Sequence, residues 1–146
     1  MIGAAAVAEV LGGEETLHMR VRSAQELEAV VQRGLPVAAL GQVVQRASAN
    51  PDTRRALVAA LIPEATLKRR RQRRVFTAAE SERLERLARV VALATDAFGD
   101  AGDARQFLET AHPLLEGRSP AEAARTELGA RRVEEILGRM THGLPV

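Results

Sequence analysis

The residues with the clearest chemical potential are the basic side chains of residues 68–74, Lys-Arg-Arg-Arg-Gln-Arg-Arg. Six of the 21 Lys and Arg residues of the chain lie in this segment, which contains no acidic residue. Removing these six positive charges from the formal net charge of +2 leaves −4, so the rest of the chain is mildly acidic. Positive charge concentrated in one short segment indicates a polyanionic ligand, and DNA is the first candidate.

The predominance of arginine in this segment suits DNA, because a guanidinium group can donate two hydrogen bonds at once to a phosphate or a guanine. On a helix of about 3.6 residues per turn these side chains point in different directions, so we expect some of them to contact the groove and others to contact flanking phosphates. The candidates for groove contacts are Lys68, Arg71 and either Thr66 or Gln72. The candidates for contacts to flanking phosphates are Arg69, Arg70, Arg73 and Arg74, together with Arg54 and Arg55 upstream. The sequence does not assign individual residues to bases or phosphates.

The basic segment occupies the second helix of a predicted helix-turn-helix. A short helix is predicted over residues 53–61, with Asp52 as its N-cap. Pro63 suits the first position of the next helix, which is predicted over Glu64–Arg73. A short helix, a tight turn and a second helix in this order are typical of the motif, although its turn often contains Gly where this chain has Pro.

The remainder of the chain also shows helical patterns. Ser23, Thr77 and Ser119 are each followed three residues later by Glu, which is the capping-box pattern of a helix start. Further helices are predicted over residues 23–34, 36–47, 78–98, 104–109, 119–125 and 127–141, with turns at 100–103 and 112–118. Residues 1–22 have the least regular pattern and are predicted to form a weakly structured arm, with a possible short strand at 16–22. The predicted fold class is all-α.

The composition disfavours several other classes of function. Aromatic residues make up 2% of the chain, with no Trp or Tyr, so no stacking platform for single-stranded nucleic acid is expected. The absence of Cys excludes disulfides and Cys-based zinc sites and suits a cytoplasmic location, and no apolar stretch approaches the length of a membrane helix. The three histidines, His18, His112 and His142, lack metal-ligand spacing, and no Gly-rich phosphate loop is present. We therefore expect no enzyme, no cofactor and no metal.

The residues around the basic segment resemble a known antitoxin family. Residues 61–70, Leu-Ile-Pro-Glu-Ala-Thr-Leu-Lys-Arg-Arg, are followed by residues 76–90, Phe-Thr-Ala-Ala-Glu-Ser-Glu-Arg-Leu-Glu-Arg-Leu-Ala-Arg-Val. This order is similar to that of the Xre/MbcA/ParS-type antitoxins, in which a recognition helix precedes a signature ending in Arg-Leu-Ala-Arg-Val. The resemblance continues in three shorter segments, at residues 94–99, 117–120 and 126–143. It spans about residues 34–143.

The resemblance implies an antitoxin of a type II toxin–antitoxin system. Residues 23–76 would form an Xre-like helix-turn-helix domain that binds the promoter of its own operon, and residues 77–146 would form a helical toxin-binding domain. The implied partner is a RES-domain toxin, an NAD-degrading enzyme whose active-site cleft the C-terminal end of the antitoxin blocks. Carried to this chain, the toxin-binding residues are Arg118, Arg139, His142, Gly143, Leu144, Pro145 and Val146.

The chain departs from the family pattern at two positions. The family commonly has Asn where this chain has His112 before Pro113, and commonly has Arg where this chain has Ala65. The second departure removes one candidate phosphate contact. We expect a homodimer, because operators bound by helix-turn-helix proteins are commonly palindromic.

Two other functions compete with the antitoxin hypothesis. The chain could be a helix-turn-helix transcriptional regulator without a toxin partner. It could also be a helical adaptor whose basic segment binds an acidic protein or RNA.

Overall fold

The computed structural model describes residues 2–143, and the fold class predicted from the sequence is confirmed. These residues form ten α-helices and one short 3-10 helix. The α-helices are α1 (Ala4–Val10), α2 (Gly13–Leu17), α3 (Ala24–Arg33), α4 (Ala38–Ala47), α5 (Pro51–Leu61), α6 (Glu64–Arg73), α7 (Ala78–Phe98), α8 (Ala101–Glu109), α9 (Pro120–Ala123) and α10 (Glu127–Thr141), and the 3-10 helix is Pro113–Leu115. In this part of the chain, no helix has the length and apolarity needed to cross a membrane.

Helix α7 is the central element of the fold. Its buried stripe includes Leu84, Leu87, Val91 and Ala94 at alternating spacings of three and four, as expected for an amphipathic helix. It packs against α1, α3, α4 and α5 on the N-terminal side of the chain and against α8 and α10 on the C-terminal side. Because the buried residues of both sides form one hydrophobic cluster, they share a core built mainly from Ala, Val, Leu and Ile.

The N-terminal segment is folded, and the expectation that residues 1–22 form a weakly structured arm is wrong for its described part. Helix α1 buries Val7, Ala8 and Val10 and packs along α7. Leu17, the last residue of α2, is 1% exposed, and residues 18–22 form neither helix nor strand, so the short strand considered at 16–22 is absent. The apolar character of the segment is explained by burial in the shared core, because a helix that covers the long central helix must itself be apolar on one side.

Helix α4 begins at Ala38 and not at Pro36, and the starts of α5 and α8 also differ from those predicted. Helix α5 is capped by Asn50, not by Asp52: the Asn50 side-chain oxygen accepts hydrogen bonds from the N–H groups of Asp52 and Thr53 at 2.8 and 3.1 Å. Helix α8 begins at Ala101 because Asp100 caps it by accepting from Asp103 N–H at 2.8 Å. The segment predicted to be a turn is therefore the first helical turn. In α5 and α8 the N-cap is an Asn or Asp residue directly before the helix, and both residue types are favoured at that position.

The predicted capping boxes are formed to different degrees. At Thr77 the reciprocal pair is complete, with Glu80 N–H donating to the Thr77 hydroxyl and Thr77 N–H donating to the Glu80 carboxylate. At Ser23 the hydroxyl accepts from Glu26 N–H, but the Glu26 carboxylate accepts from Arg22 N–H. The start of α7 is therefore more completely capped than that of α3, and it lies next to the basic helix α6.

Candidate functional site

The basic helix α6 exposes most of its cationic side chains. Leu67 is its one fully buried residue in the described structure. With about 100° between successive residues, Lys68, Arg69, Gln72 and Arg73 lie on the side of the helix opposite Leu67, and all four are exposed. Three positive charges and one amide therefore share an outward face, while Ala65 leaves room at its N-terminal end.

The other predicted DNA-binding residues of α6 lie beside this face. Arg71 and Arg74 are exposed but project nearer the Leu67 side, where they border a groove of about 640 Å³ together with Glu15 and His18. Thr66 is half-buried, and its hydroxyl lies 3.4 Å from Arg69 Nη2. Of the DNA-binding residues predicted on α6, Lys68, Arg69 and Arg73 thus lie on the outward face, and Arg71 and Arg74 lie to one side of it.

Arg70 has a different role, because its guanidinium pairs with Glu80 at the start of α7. Nε donates to one carboxylate oxygen at 2.7 Å and Nη2 to the other at 3.0 Å, and the two side chains are 14% and 8% exposed. The hydrogen bond from Arg70 is the largest of the influences that hold the pKa of the Glu80 carboxyl below its ordinary value. The Arg70 guanidinium is therefore already paired within the protein, so we expect it to hold α6 in place and not to reach a phosphate, although its assignment as a DNA contact stays a prediction.

The C-terminal end of α6 is tied to the segment between α3 and α4. Val37 N–H donates to Arg74 O and Phe76 N–H donates to Leu35 O, both at 2.9 Å, in a short antiparallel bridge. Gly34 makes this approach possible: its φ is 109°, and a side chain there would overlap the Phe76 carbonyl. The direction of the basic helix is thus fixed at Arg70 and again at its C-terminal end.

The two upstream arginines also differ in placement. Arg54 is half-buried and donates from Nε to Ser48 O at 2.6 Å, so it covers a free carbonyl at the end of α4. Arg55 is exposed and pairs with Asp52 at 3.0 Å on the surface. Of the two, only Arg55 has a side chain that could turn to a phosphate without losing a contact to the protein core.

Helix α7 connects the basic helix to the C-terminal helices through residues spaced three apart. Glu80 holds α6, and Arg83 Nε donates to Leu61 O at 3.0 Å at the end of α5. One turn further, Arg86 Nε lies 3.1 Å from Glu127 Oε2, and Arg89 Nε lies 3.0 Å from Glu134 Oε1, both on α10. These polar residues of α7 therefore connect separate helices.

Glu85 completes this network between α7 and α10. It lies 3.9 Å from Arg89 Nη1, and burial raises the pKa of its carboxyl.

A second link between elements runs from α8 to the loop before α5. There Glu109 accepts from the Ser48 hydroxyl at 2.6 Å and from Ala49 N–H at 3.0 Å, and chiefly the Ser48 hydrogen bond lowers the pKa of Glu109. The pair of Glu85 and Arg89 is local, whereas the contacts of Arg86 and Arg89 with α10 and of Glu109 with Ser48 join residues distant in sequence, so no local pattern could predict them.

The loop before α9 is held by side chains that include one predicted toxin-binding residue. Arg118 is half-buried and donates from Nε to Leu115 O at 3.1 Å, so its first role is to shape the loop. Glu116 binds Arg132 of α10 at 2.6 Å, and this hydrogen bond is the main reason that the pKa of Glu116 falls to about 2. His112 caps the 3-10 helix by accepting Leu114 N–H through Nδ1 at 3.1 Å, a contact that an Asn side chain can also make.

The predicted toxin-binding residues at the C-terminus are exposed as far as the structure describes them. Arg139 lies on the outer face of α10, His142 is its C-cap and Gly143 follows with a φ of 70°. Leu144, Pro145 and Val146 lie outside the described residues. The three described residues therefore share one end of α10, whereas Arg118 belongs to the loop beside it.

Comparison with known families divides the chain at α7. Residues 26–89 match the antitoxin Xre-like helix-turn-helix domain, and residues 93–143 match the antitoxin Xre/MbcA/ParS C-terminal toxin-binding domain. The first match contains α5 and α6, and the second contains α8 to α10 and the end of α7. The two matches thus meet inside the central helix, between residues 89 and 93, and the domain boundary near Phe76 stays a prediction from the sequence.

Two curated relatives agree with these matches. The chain is 42% identical over 85 residues to a protein named Antitoxin Xre from Yersinia enterocolitica, covering 57% of each. It is 37% identical over 84 residues to a protein of the same name from Pseudomonas putida, covering 57% of this chain and 53% of the relative. The chain thus aligns with little more than half of each relative. Together with the two domain matches on one shared core, these similarities place the chain in the Xre family of antitoxins.

Proposed function

We propose that this protein is the antitoxin of a type II toxin–antitoxin pair, with a DNA-binding surface on α6 and a toxin-binding surface on its C-terminal helices. The observation that carries the proposal is that one core presents two separate surfaces. One is the Arg-rich outer face of a helix-turn-helix, and the other is the segment that matches a toxin-binding domain. The protein would act by stoichiometric binding and not by catalysis.

The DNA-binding part of the proposal rests on the accessible charge of α6. Lys68, Arg69 and Arg73 project from the second helix of the motif, where base and phosphate contacts are made in helix-turn-helix proteins. The proposed ligand is the promoter of the protein's own operon, which makes the protein an autorepressor acting in the cytoplasm. A homodimer would place two such helices on the half-sites of a palindromic operator.

The toxin-binding part rests on the exposed end of α10. Arg139, His142 and Gly143 are accessible and lead into the terminal residues, so this end can enter a cleft without unfolding the core. We propose a RES-domain, NAD-degrading toxin as the partner, in line with the family resemblance. Blocking of its active site by residues 142–146 is the proposed mechanism of neutralisation.

The direct test is to express the product of the adjacent gene with and without this chain. The proposal predicts that the neighbouring protein arrests growth with loss of cellular NAD, and that co-expression of this chain restores both and yields a stable complex. A neighbouring product that leaves growth unaffected and does not bind this chain would overturn the toxin-binding half. The plain transcriptional regulator, favoured by the exposed basic face of α6 alone, would then be the remaining function.

A further inference from the structure

The outer face of α10 carries the most exposed large apolar side chain in the described residues. Leu128 is 71% exposed, and Leu114 in the neighbouring loop is 42% exposed. Both lie outside the terminal segment to which toxin blocking is assigned above. A large apolar side chain so accessible contributes little to the fold, so its function must be sought outside the core.

The geometry of Arg132 brings the two leucines onto one surface. Arg132 is one turn after Leu128, and helical side chains lean toward the N-terminus, so its guanidinium lies over the turn that carries Leu128. That guanidinium donates to the Leu114 carbonyl and binds Glu116 at 2.6 and 2.8 Å. The loop is thereby fastened beside the first turns of α10, where Leu114 and Leu128 are both exposed.

This surface continues along the helix to the C-terminus. Successive outward positions are Leu128, Arg131, Arg132, Glu135, Arg139 and His142, and they span about 21 Å at 1.5 Å per residue. The apolar residues lie at one end and His142 at the other, where residues 143–146 begin. An apolar anchor and a terminal segment at opposite ends of one accessible face suit a partner that contacts both.

The unpaired charge and the place of this face in the chain indicate the kind of partner. Arg131 pairs with Glu127 and Arg132 pairs with Glu116, whereas within residues 2–143 Arg139 has no carboxylate at ion-pair distance. A partner that covers this face would therefore satisfy Arg139 best with a carboxylate of its own. The face also lies within the segment that matches a toxin-binding domain.

We propose that Leu128 and Leu114 are the apolar anchors of a surface that docks against the toxin, which presents an apolar pocket to the two leucines and a carboxylate to Arg139. The inference rests on the proposed function and extends it, because binding then has two parts: the outer face of α10 supplies affinity and the terminal residues block the active site. Exposed side chains that become fully buried at an interface are the usual source of affinity hot spots.

The experiment measures binding of the purified, catalytically inactivated product of the adjacent gene to the full chain by calorimetry. Leu128→Ala and Leu114→Ala are each expected to weaken binding about 10- to 50-fold. Val75→Ala is the matched control, because Val75 is 45% exposed on the other half of the molecule and its loss is expected to leave affinity unchanged. Arg139→Glu is expected to weaken binding more than Arg139→Ala, since the toxin is proposed to place a carboxylate opposite Arg139. Thermal unfolding of each variant shows that the fold is retained.

The outcomes separate the two levels of the proposal. Wild-type affinity in both alanine variants, together with loss of binding on deletion of residues 144–146, overturns the docking surface and leaves the antitoxin function intact. An Arg139→Glu variant that binds as well as Arg139→Ala or better overturns the proposed carboxylate opposite Arg139. A free protein that changes from dimer to monomer on Leu128→Glu assigns the face to self-association and overturns the inference. A neighbouring product that does not bind the wild-type chain overturns both levels.

Discussion

Removal of the Glu80 carboxylate is expected to destabilise the protein and misalign its DNA-binding helix. The carboxylate accepts two hydrogen bonds from Arg70, at 2.7 and 3.0 Å, and one from Thr77 N–H at 2.9 Å. Loss of one partner of a buried ion pair typically costs about 3–5 kcal/mol. Because the Arg70 side chain remains 14% exposed and can recruit water, we expect the lower end, about 3 kcal/mol, for Glu80→Ala.

This cost can be divided between the two functions of the carboxylate. About 1 kcal/mol belongs to the capping box with Thr77, which Arg70→Ala leaves intact. The remaining ~2 kcal/mol is coupling to Arg70 and should appear as the interaction energy of a double-mutant cycle between Arg70→Ala and Glu80→Ala. For a chain of this size, 3 kcal/mol corresponds to a fall of about 6–12 °C in the melting temperature. Chemical denaturation of the four proteins measures the cycle.

The DNA-binding assay distinguishes positioning from contact. Arg70→Ala should lower promoter affinity while leaving the slope of log K against log salt unchanged, because we expect Arg70, which is paired with Glu80, to contact no phosphate. Arg69→Ala, the matched control one residue away, should reduce the magnitude of that slope by about 0.9 for each contact removed, with little effect on stability. The reasoning would be refuted by a Glu80→Ala variant as stable as wild type, or by an Arg70→Ala variant whose salt slope falls like that of Arg69→Ala.

Three further predictions concern other contacts. Glu80 and Glu109 have lowered pKa values in the folded protein, so their stabilisation is present above about pH 4.3 and is lost as pH falls through the folded pKa. Glu109→Gln should therefore weaken the pH dependence of the unfolding free energy, measured by chemical denaturation between about pH 5 and 3. The raised pKa of Glu85 acts in the opposite direction in both proteins. Gly129→Ala should cost about 3 kcal/mol or more in thermal unfolding, because its Cβ would overlap the Ala123 carbonyl, whereas Gly138→Ala has open space and should be neutral or stabilising by up to ~1 kcal/mol. His112→Asn should keep wild-type stability while His112→Ala loses about 1 kcal/mol, the value of a helix cap; equal melting temperatures for the two would contradict the capping role.

The parts of the fold that follow from local physics could be predicted from the sequence. The capping box at Thr77 and the apolar stripe of α7 locate that helix at its observed bounds, because both signals lie within the helix itself. The helix-turn-helix could be placed for the same reason. The folded N-terminal helices could not, since their stability comes from packing on α7 and not from their own sequence.

The side-chain roles were less accessible to sequence analysis. Arg70 has the same residue type as its neighbours, and only the position of α7 shows that it pairs with Glu80 instead of facing outward. A three-residue spacing of Glu80, Arg83, Arg86 and Arg89 was visible, but local ion pairs explain such spacing equally well. Leu128 lies on a helix whose apolar pattern already accounts for the core, so its 71% exposure is known only from the fold.

The central claim, that DNA binding and toxin binding reside on separate surfaces of one molecule, is tested most directly by measuring both activities on two variants. One variant reverses the charges of Lys68, Arg69 and Arg73 to Glu, and the other lacks residues 143–146. We predict that the first loses promoter binding and still neutralises the product of the adjacent gene, and that the second binds the promoter and no longer neutralises. Loss of both activities in either folded variant, or retention of both, would contradict the account.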